Sequence, residues 1–533
     1  MKALRRLSLI LFAFALSMYG QTDRGTITGT VTDPAGAVVA NAPLVLLNTN
    51  TGNQYQAATS ETGNYTFGQL PIGNYTLTVT VAGFKNYVHQ NLNVQAASTI
   101  REDVSLEVGS AAESVTVTAE ASMLKTETAE VATNVTSARL NSLPILGVGA
   151  QTASSHGVRN PLAAAQLQTG VRFVANSVVR VNGAPNNTMA VRLDGQDITN
   201  NTAGAAFQAQ VQPSVDAVEE VAIQTSNFAA EYGQAGGGYF NYTMKSGTNQ
   251  YHGTAFNYWQ NEAFNAGLPF TDAGLSNSLR RGEHVRNSQR RFDFGGTFGG
   301  PVRIPKLYNG KEKTFFFFNY EQFRSKSLTT NVPSTVPTTA YRNGDFSAAL
   351  NPQLLLAGAA ATDPLGRPIF GNAIYDPNTQ RSVNGLVVRD QFPGNIIPAT
   401  RLDPTALKMQ SIFPTANAAG TVNNYIIPSY FNFAHTNIPS LKLDHNVSSK
   451  IKVSMFYSAN RQTSPSANGF TQAFTSAEPL DVLSQTSRFN YDHSITPTLL
   501  MHIGAGYLDT SRTDLPPTYD QSQLFGTQTF YVS

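Results

Sequence analysis

The feature that most restricts the possible folds of this chain is a cluster of glycines followed directly by an alternating strand pattern. The glycines are Gly233, Gly236, Gly237 and Gly238. Without side chains they allow one backbone to lie close against another, and they tolerate a positive φ. From Tyr239 to Lys245, polar residues alternate with apolar ones, which predicts a strand with unlike faces. Residues 246–249 then predict a turn, so this part of the chain is a closely packed β-structure.

Composition favours a β-rich protein outside the cytoplasm. Only 13% of the residues are charged, although 41% are hydrophobic, and a typical soluble domain has about 25% charged residues. The net charge of +2 gives no electrostatic reason to expect a nucleic-acid partner. The chain has no cysteine, which excludes disulfides, thiolate metal sites and cysteine nucleophiles.

The N-terminus predicts a signal peptide over residues 1–20. Basic residues precede an apolar run from Leu7 to Leu16, and small or polar residues follow it. This run is too short to cross a bilayer as a helix, and no later segment supplies about 20 consecutive apolar residues. Any membrane crossing must therefore use a β-barrel.

Residues 21–109 predict a β-sandwich of about seven short strands. Ile27, Gly29 and Val31 alternate with threonines, as do Tyr75 and the apolar residues after it, and glycine turns at residues 52, 63 and 73 separate the runs. The segments GTITGTVTD and GNYTFGQLPIGNYTLTV resemble the carboxypeptidase regulatory-like domain. The resemblance implies an Ig-like or transthyretin-like sandwich without catalysis. Either an accessory spacer or a direct role in binding is compatible with it.

Two dipeptides that favour tight turns, Asn182-Gly183 and Asp194-Gly195, follow strand-like runs in residues 110–248. With the EYGQAGGG segment they resemble the plug domain of Oar-like TonB-dependent receptors, which implies an α+β plug. The residues that carry this resemblance are Asn182, Gly183, Asp194, Gly195, Glu231, Tyr232, Gly233, Gly236 and Gly237. The chain departs from the family's pattern at Leu143–Ala150 and at Gln234. Asp194 and Asp197 are also candidates for acid/base work or a cation, but no third ligand stands at a telling spacing.

A short β-branched segment lies between the two modules and resembles the TonB box, through which the family receives energy from the inner membrane. It comprises Glu113, Ser114, Val115, Thr116, Val117, Thr118 and Ala119. Such a segment can add to a sheet edge through parallel main-chain hydrogen bonds. An ordinary linker strand is the alternative interpretation.

From residue 249 to 533, two-sided strands are separated by unequal loops, which is typical of an outer-membrane barrel. The predicted strands are His252–Gln260, Arg290–Gly300, Lys313–Phe323, residues 441–447, residues 450–458, residues 488–494 and residues 499–509. Trp259, Tyr258, Tyr320 and Tyr457 are candidates for interfacial aromatic residues or for core packing. About eight strands are recognisable, whereas plugged transporters use about 22. We therefore expect an incomplete antiparallel transmembrane barrel that belongs to a longer receptor.

The resemblance implies an outer-membrane importer with its N-terminal domain in the periplasm. Its partners would be TonB, outer-membrane lipid and an extracellular ligand such as a siderophore, glycan or peptide. No cofactor, metal site or catalytic residue is predicted, and the eight dispersed histidines fit no metal motif. A surface adhesin or carbohydrate-binding protein that uses the sandwich is the alternative. A carboxypeptidase-like enzyme is the weakest option.

Overall fold

A computed structural model provides the fold of most of the chain. It describes residues 24–110, 112–118, 127–128, 130–142, 159, 161–174, 178–185, 188–199, 211–228, 233, 235–272, 281–286, 289–330, 332–354, 362–465, 479–496 and 499–514. The predicted signal peptide lies outside the described residues.

The first unit is a β-sandwich of two sheets, as the sequence predicts. Its strands are β1 (Gly25–Thr32), β2 (Pro43–Asn48), β3 (Gln54–Ala58), β4 (Asn64–Leu70), β5 (Gly73–Val79), β6 (Asn86–Val94), β7 (Thr99–Arg101), β8 (Val104–Ser105) and β9 (Ser114–Thr118). One sheet has the order β4-β1-β7, with β8 also on β1, and the other has the order β3-β2-β5-β6-β9. Ile27, Val31 and Leu77 are buried in a core that belongs to this unit alone. At Gly29 an added Cβ would lie 1.8 Å from the Glu102 carbonyl oxygen, so only glycine fits there.

The second unit, which we call the plug, is built around a five-stranded sheet. Its elements are β10 (Val131–Thr136), α1 (Ser137–Ser142), β11 (Val171–Val174), β12 (Val178–Val181), β13 (Met189–Leu193), β14 (Gln196–Asp197), β15 (Val218–Ser226) and β16 (Gly238–Met244), with 3-10 helices at Pro161–Leu167 and Val215–Ala217. The sheet order is β10-β15-β16-β13-β14, and β11 and β12 form a separate hairpin.

Strand β16 is buried along its whole length. The sequence predicts unlike faces, but both faces are covered. Phe240 and Tyr242 pack into the main plug core, while Tyr239 packs with Ala190 and Phe228 on the other side. Polar residues such as Asn241 therefore become buried rather than solvent-facing.

The third unit contains a seven-stranded antiparallel sheet, which we call the wall sheet, in the order β17-β18-β21-β28-β29-β30-β31. The elements of this unit are β17 (His252–Gln260), β18 (Gln289–Pro301), β19 (Arg303–Ile304), β20 (Tyr308–Asn309), β21 (Thr314–Thr329), β22 (Val332–Ser334), α2 (Thr339–Arg342), β23 (Asn351–Leu354), β24 (Phe370–Gly371), β25 (Tyr375–Val383), β26 (Leu386–Gln391), α3 (Pro404–Ile412), β27 (Tyr425–Ile427), β28 (Tyr430–Asn446), β29 (Ile451–Pro465), β30 (Pro479–Thr496) and β31 (Leu499–Asp514). Short 3-10 helices lie at Glu262–Phe264, Ser347–Ala349, Pro393–Asn395 and Ala399–Arg401. Among the described residues, no pairing joins β17 to β31, so the sheet is open.

The two faces of the wall sheet differ in polarity. One row of paired residues across five strands is polar and turned inward, towards the plug: Thr297, Asn319, Ser440, Ser458 and Thr486, all of them buried. The adjacent outward row is mostly apolar and exposed: Phe298, Phe318, Leu441, Tyr457, Ser487 and Tyr507. An apolar outer face with a polar inner face is the pattern of an outer-membrane barrel.

Of the four aromatic residues singled out from the sequence, Trp259, Tyr320 and Tyr457 lie on the outward face. For Tyr258 the structure favours the other interpretation, core packing. Its ring faces inward, and the centroid lies 4.4 Å from Arg159 Cζ of the plug.

The wall sheet has a rim of short connections and a rim of long ones. A short turn joins β28 to β29, whereas about a hundred residues separate β21 from β28. This long loop carries its own ion pairs. Arg381 and Arg367 bind Asp390 and lower the pKa of that carboxyl to about 2. Six of the seven strands have 13 to 18 residues, more than the roughly 9–11 that a bilayer requires.

The sandwich sits at the short-turn rim. Arg24 pairs with Asp492 at 2.8 Å, Asn446 donates to Asn53, and Asn249 donates to the Thr51 carbonyl at 2.8 Å. Within the described part of the chain, no helix is long and apolar enough to cross a membrane.

Candidate functional site

The plug meets the inner face of the wall sheet at the hairpin formed by β13 and β14. Asp194 and Gly195 are its two loop residues, with φ of 46° and 80°, and Leu193 pairs with Gln196 across the turn. Both residues have positive φ, as the tight turn predicted from this dipeptide requires. The hairpin therefore presents a carboxylate and a bare backbone at its tip.

Asp194 is held by the wall sheet and by the plug together. Its Oδ2 lies 2.9 Å from Lys442 Nζ on β28, and its Oδ1 accepts a hydrogen bond of 2.8 Å from the Met244 backbone N–H. Lys442 also donates to the Met244 carbonyl at 3.1 Å. Asp194 is 5% exposed, so the pair is shielded from water and its charges depend on each other.

The tip of the hairpin is fixed by β30 and β31. Arg488 donates through Nη1 to the Gly195 carbonyl oxygen at 2.8 Å. At Gly506 on β31, an added Cβ would lie 1.6 Å from Gln196 Oε1. A side chain at position 506 would push Gln196 aside, so this glycine allows the hairpin to sit directly on the wall.

A second contact between plug and wall centres on Arg159. Its guanidinium forms an ion pair with Asp216 of the plug and lies 4.0 Å from Asp293 Oδ2 of β18. The rings of Phe256 and Tyr258 on β17 flank it, with centroids 4.5 and 4.4 Å from Cζ. A buried guanidinium that bridges two elements in this way ties them together both by charge and by cation–π contact.

Glu321 of β21 lies beside this centre and is 1% exposed, while Asp293 is 0% exposed. Sequence reasoning did not single out Arg159, Asp293 or Glu321. A signal was nevertheless present, because one acidic residue interrupts each of the aromatic strand patterns RRFDFGG and FFFFNYEQF. A charged side chain on the buried inner face of the sheet requires a partner of opposite charge in the element that covers it.

Two of the four clustered glycines meet a close neighbour. An added Cβ at Gly238 would lie 2.9 Å from the Gln224 carbonyl oxygen, and one at Gly237 would lie 2.8 Å from Thr188 Oγ1. Gly236 has only ordinary contacts, and Gly233 has no atom within 4 Å. None of the four has a positive φ. Close approach, rather than an unusual backbone conformation, therefore explains two of these positions.

Asn182-Gly183 forms a tight turn with φ of 49° and 75°. It does not connect a hairpin, since β12 pairs with the preceding β11 and β13 pairs with β16. The Asn182 side chain instead donates to the Thr225 carbonyl oxygen at 2.7 Å and so anchors the turn to β15. Glu231 and Tyr232 lie outside the described residues.

The segment that resembles a TonB box is the edge strand β9 of the sandwich. Residues 114–118 pair in parallel with residues 86–90 of β6, and the Asn86 N–H donates to the Glu113 carbonyl at 2.8 Å. The sandwich sheet thus continues past the predicted boundary at residue 109. Glu113, Ser114, Thr116 and Val117 are exposed, so backbone hydrogen bonds rather than side-chain burial hold the segment. Ala119 lies outside the described residues.

No cluster of three or more potential metal-ligating residues occurs among the described residues. Asp194 is occupied by Lys442, and Asp197 Oδ1 accepts the Thr199 N–H at 2.8 Å. Both carboxylates therefore have structural partners. His89 and His502 contact Glu102 and Asp492, each at 2.6 Å.

A cavity of about 380 Å³ lies where the sandwich, the plug and the wall sheet meet. Its walls include Tyr55 of the sandwich, Asp194 of the plug, and Lys442 and Lys452 of the wall sheet. The Asp194–Lys442 pair thus borders a space on the short-turn side of the plug.

Comparison with known proteins places these units in a family context. Residues 243–531 match the family described as outer membrane beta barrel domain, and residues 26–107 match the carboxypeptidase regulatory-like domain. The chain is 28% identical over 293 residues to the TonB-dependent transporter Oar of Myxococcus xanthus, which covers 53% of this chain and 26% of that protein. The chain thus spans about a quarter of the length of this curated relative.

Two solved outer-membrane proteins are also similar. The transporter YddB from Escherichia coli has a TM-score of 0.40 at 12% identity, over 72% of this chain and 39% of that one. The siderophore receptor PirA from Pseudomonas aeruginosa has a TM-score of 0.34 at 11% identity, over 72% and 40%. The resemblances to an Oar-like protein and to a regulatory-like sandwich are thereby confirmed at the level of sequence.

Proposed function

Because the chain belongs to the outer membrane beta barrel domain family, we propose that it is an energy-coupled importer of the outer membrane. An extracellular ligand binds on the long-loop side of the wall sheet. Force applied by TonB to the segment Glu113–Ala119 then moves the plug and opens a path on the short-turn side. No bond of the ligand is broken in this process.

The observation that supports this proposal best is the way in which the plug lies on the inner face of the wall. It is held by discrete charged contacts at Asp194 and Arg159 as well as by apolar packing. Contacts of this kind can be broken and re-formed as a unit, because the charges remain compensated only in the seated arrangement. The plug therefore stays bound to the wall sheet in the absence of force and can be released when TonB pulls on it.

The position of β9 fits the pulling step. Among the residues that the structure describes, the strand lies at an edge and pairs only with β6, so its other side offers a row of main-chain groups to an incoming strand. A partner that adds there gains several hydrogen bonds in parallel, each with a net value of about 1 kcal/mol. In the alternative route, β9 leaves β6 and pairs with a strand of TonB instead. Detaching β9 also costs little free energy, since few of its side chains are buried.

The orientation follows from the two rims. Outer-membrane barrels have short periplasmic turns and longer extracellular loops, and the sandwich contacts the short-turn rim through Arg24 and Asn53. The sandwich and β9 therefore face the periplasm, where TonB acts. An adhesin that binds surfaces through the sandwich would require the opposite placement, so the geometry favours the importer.

The test removes the segment on which TonB is proposed to pull and leaves the rest of the chain intact. We expect deletion of Glu113–Ala119, or the pair Val115→Pro with Val117→Pro, to abolish energised uptake while ligand binding at the cell surface persists. Proline removes the N–H groups of residues 115 and 117, which face β6, and its fixed φ and its ring distort the strand that an incoming partner would extend. Ser114→Ala, which keeps every backbone group, is the control. Unchanged uptake in the deletion strain would reject the proposal.

The ligand class is assigned by a separate experiment. A deletion strain is grown on a panel of ferric siderophores, polysaccharides and peptides as sole nutrient sources. We expect a growth defect on one class, restored by the intact gene but not by the gene without residues 113–119. Growth on all classes at the level of the parent would contradict an import role.

A further inference from the structure

The outward face of β21 changes from apolar to cationic along its length. Its outward residues, in order from the short-turn rim, are Phe316, Phe318, Tyr320, Gln322, Arg324 and Lys326. Arg324 and Lys326, which we call the outer cation pair, are both exposed. Two cations on the lipid side of a barrel require an explanation, since charge on that face is costly within the hydrocarbon layer.

Their height on the strand places them near the edge of that layer. Ten residues separate Phe316 from Lys326, and at ~3.3 Å per residue this is about 33 Å along the strand. With a strand tilt of about 40°, the vertical distance is roughly 25 Å, which equals the height of the apolar band of such barrels. Lys326 therefore lies at the edge of the apolar band on the long-loop side, and Arg324, two residues lower on the strand, reaches the lipid head groups through its long side chain.

The cations are surrounded by aromatic side chains. In the ladder, Arg324 lies between Phe292 and His435, and Lys326 lies next to Phe433. Lys326 Nζ lies 3.9 Å from the centroid of the Phe431 ring. Phe292, Phe431 and Phe433 are 39%, 48% and 42% exposed. Aromatic residues with long cationic side chains are the usual composition of a membrane interface.

The outer cation pair also differs from its neighbours in charge balance. Arg290 is neutralised by Glu262 at 2.7 Å, and Arg461 by Asp481 at 2.7 Å. Neither Arg324 nor Lys326 forms an ion pair with any carboxylate in the part of the chain that the structure describes. The site thus keeps two positive charges for an anionic group from outside the protein.

We propose that the outer cation pair, with Phe431 and Phe433, binds the phosphate-bearing head group of an outer-leaflet lipid. The guanidinium of Arg324 would contact phosphate oxygens through its paired N–H groups, and Lys326 would add a point charge beside it. The acyl chains would lie on the apolar row below, over Phe298 and Phe318. This site is separate from the import path and does not depend on the import proposal.

The test uses the chain purified from membranes in neutral detergent. Thermal unfolding is followed as diphosphorylated lipid A is added, and the same glycolipid without its phosphates is the comparison. We expect stabilisation by the phosphorylated lipid alone. The double variant R324Q/K326Q should need at least about tenfold more of it for the same shift, because each cation near a lipid surface contributes a several-fold factor. Inorganic phosphate alone should have no effect.

The matched control removes two exposed lysines elsewhere, Lys311→Gln with Lys408→Gln, and should bind as the parent does. Equal stabilisation by the phosphate-free lipid, or an unchanged response in R324Q/K326Q, would overturn the proposal. If that variant does not fold, the single variants R324Q and K326Q decide the question instead, each being expected to need several-fold more of the phosphorylated lipid.

Discussion

The plug and the β9 segment are attached to their neighbours in opposite ways. The plug is fixed to the wall sheet by buried charges, with Asp194 and Arg159 each held between two units. Strand β9 is fixed to the sandwich by main-chain hydrogen bonds, while most of its side chains are exposed. Loss of one partner from a buried ion pair is costly, whereas an exposed edge strand detaches at low cost. This contrast fits the proposed mechanism, in which the weakly attached strand β9 detaches first and the firmly bound plug moves afterwards.

The largest effect is expected for Arg159→Ala. It leaves Asp216 and the nearby Asp293 without their cation, which should weaken seating of the plug by about 3–5 kcal/mol. Because the chain has no cysteine, a single Ala217→Cys in the plug core reports opening through its thiol reactivity in urea. The urea midpoint should fall clearly. Arg159→Lys should give an intermediate value, and an unchanged midpoint for Arg159→Ala would show that the plug is held by apolar packing alone.

A smaller loss is expected for Lys442→Met, which keeps the length of the side chain but leaves Asp194 buried without its cation. We expect about 2–3 kcal/mol in the same thiol assay, less than for Arg159 since Lys442 is 12% exposed. Adding Asp194→Asn should recover much of this loss, because the remaining amide is neutral. Additive losses in the double variant would argue against a direct interaction.

Gly29→Ala tests the sandwich independently of the plug. The new Cβ would clash with the Glu102 carbonyl oxygen, so the sandwich should lose about 2–3 kcal/mol of unfolding free energy. Calorimetry of the intact protein measures the sandwich transition, and the thiol assay should show an unchanged plug. Gly233→Ala is the glycine control, since no atom lies within 4 Å of its added Cβ. A simultaneous shift of plug opening would mean that the two units unfold together.

The smallest effect is expected for Val117→Pro. Loss of ladder hydrogen bonds at an exposed edge should cost about 1 kcal/mol. Hydrogen exchange of residues 114–118 should become faster while the sandwich core remains protected. Val117→Thr, which keeps the backbone donor, should exchange as the parent does. A loss as large as that of Gly29→Ala would show that β9 is integral to the sandwich.

Local pattern was sufficient to predict the strands that alternate between unlike faces. The bounds predicted for β17 agree with the structure, and those of β18 differ by one residue at each end. Strands β21 and β28 are longer than predicted, because polar and charged residues break the alternation of hydrophobicity at Arg324–Thr329 and at Ala434–Ser440. Hydrophobic periodicity marks a strand only where apolar residues repeat along one face, and buried polar residues such as Thr436 and Ser440 do not supply that repeat.

The contacts that define the site could not be predicted in the same way. Pairing of β9 with β6 is parallel and leaves no pattern in either segment. The bridge from Arg159 to Asp293 joins residues far apart in the chain, and only the acidic residue within an aromatic strand hinted at it. The Asp194-Gly195 turn, in contrast, was readable, since a two-residue loop depends on its own φ and ψ.

The central claim is that the β13–β14 hairpin must leave the wall for import to occur. A disulfide between Gln196→Cys and Gly506→Cys would staple the two where they already touch, and the chain offers no other thiol to compete. Ligand uptake by energised cells is measured before and after oxidation, and again after reduction. The account predicts that uptake is lost in the oxidised state, with surface binding retained, and returns on reduction. Undiminished uptake with the staple fully formed would contradict it.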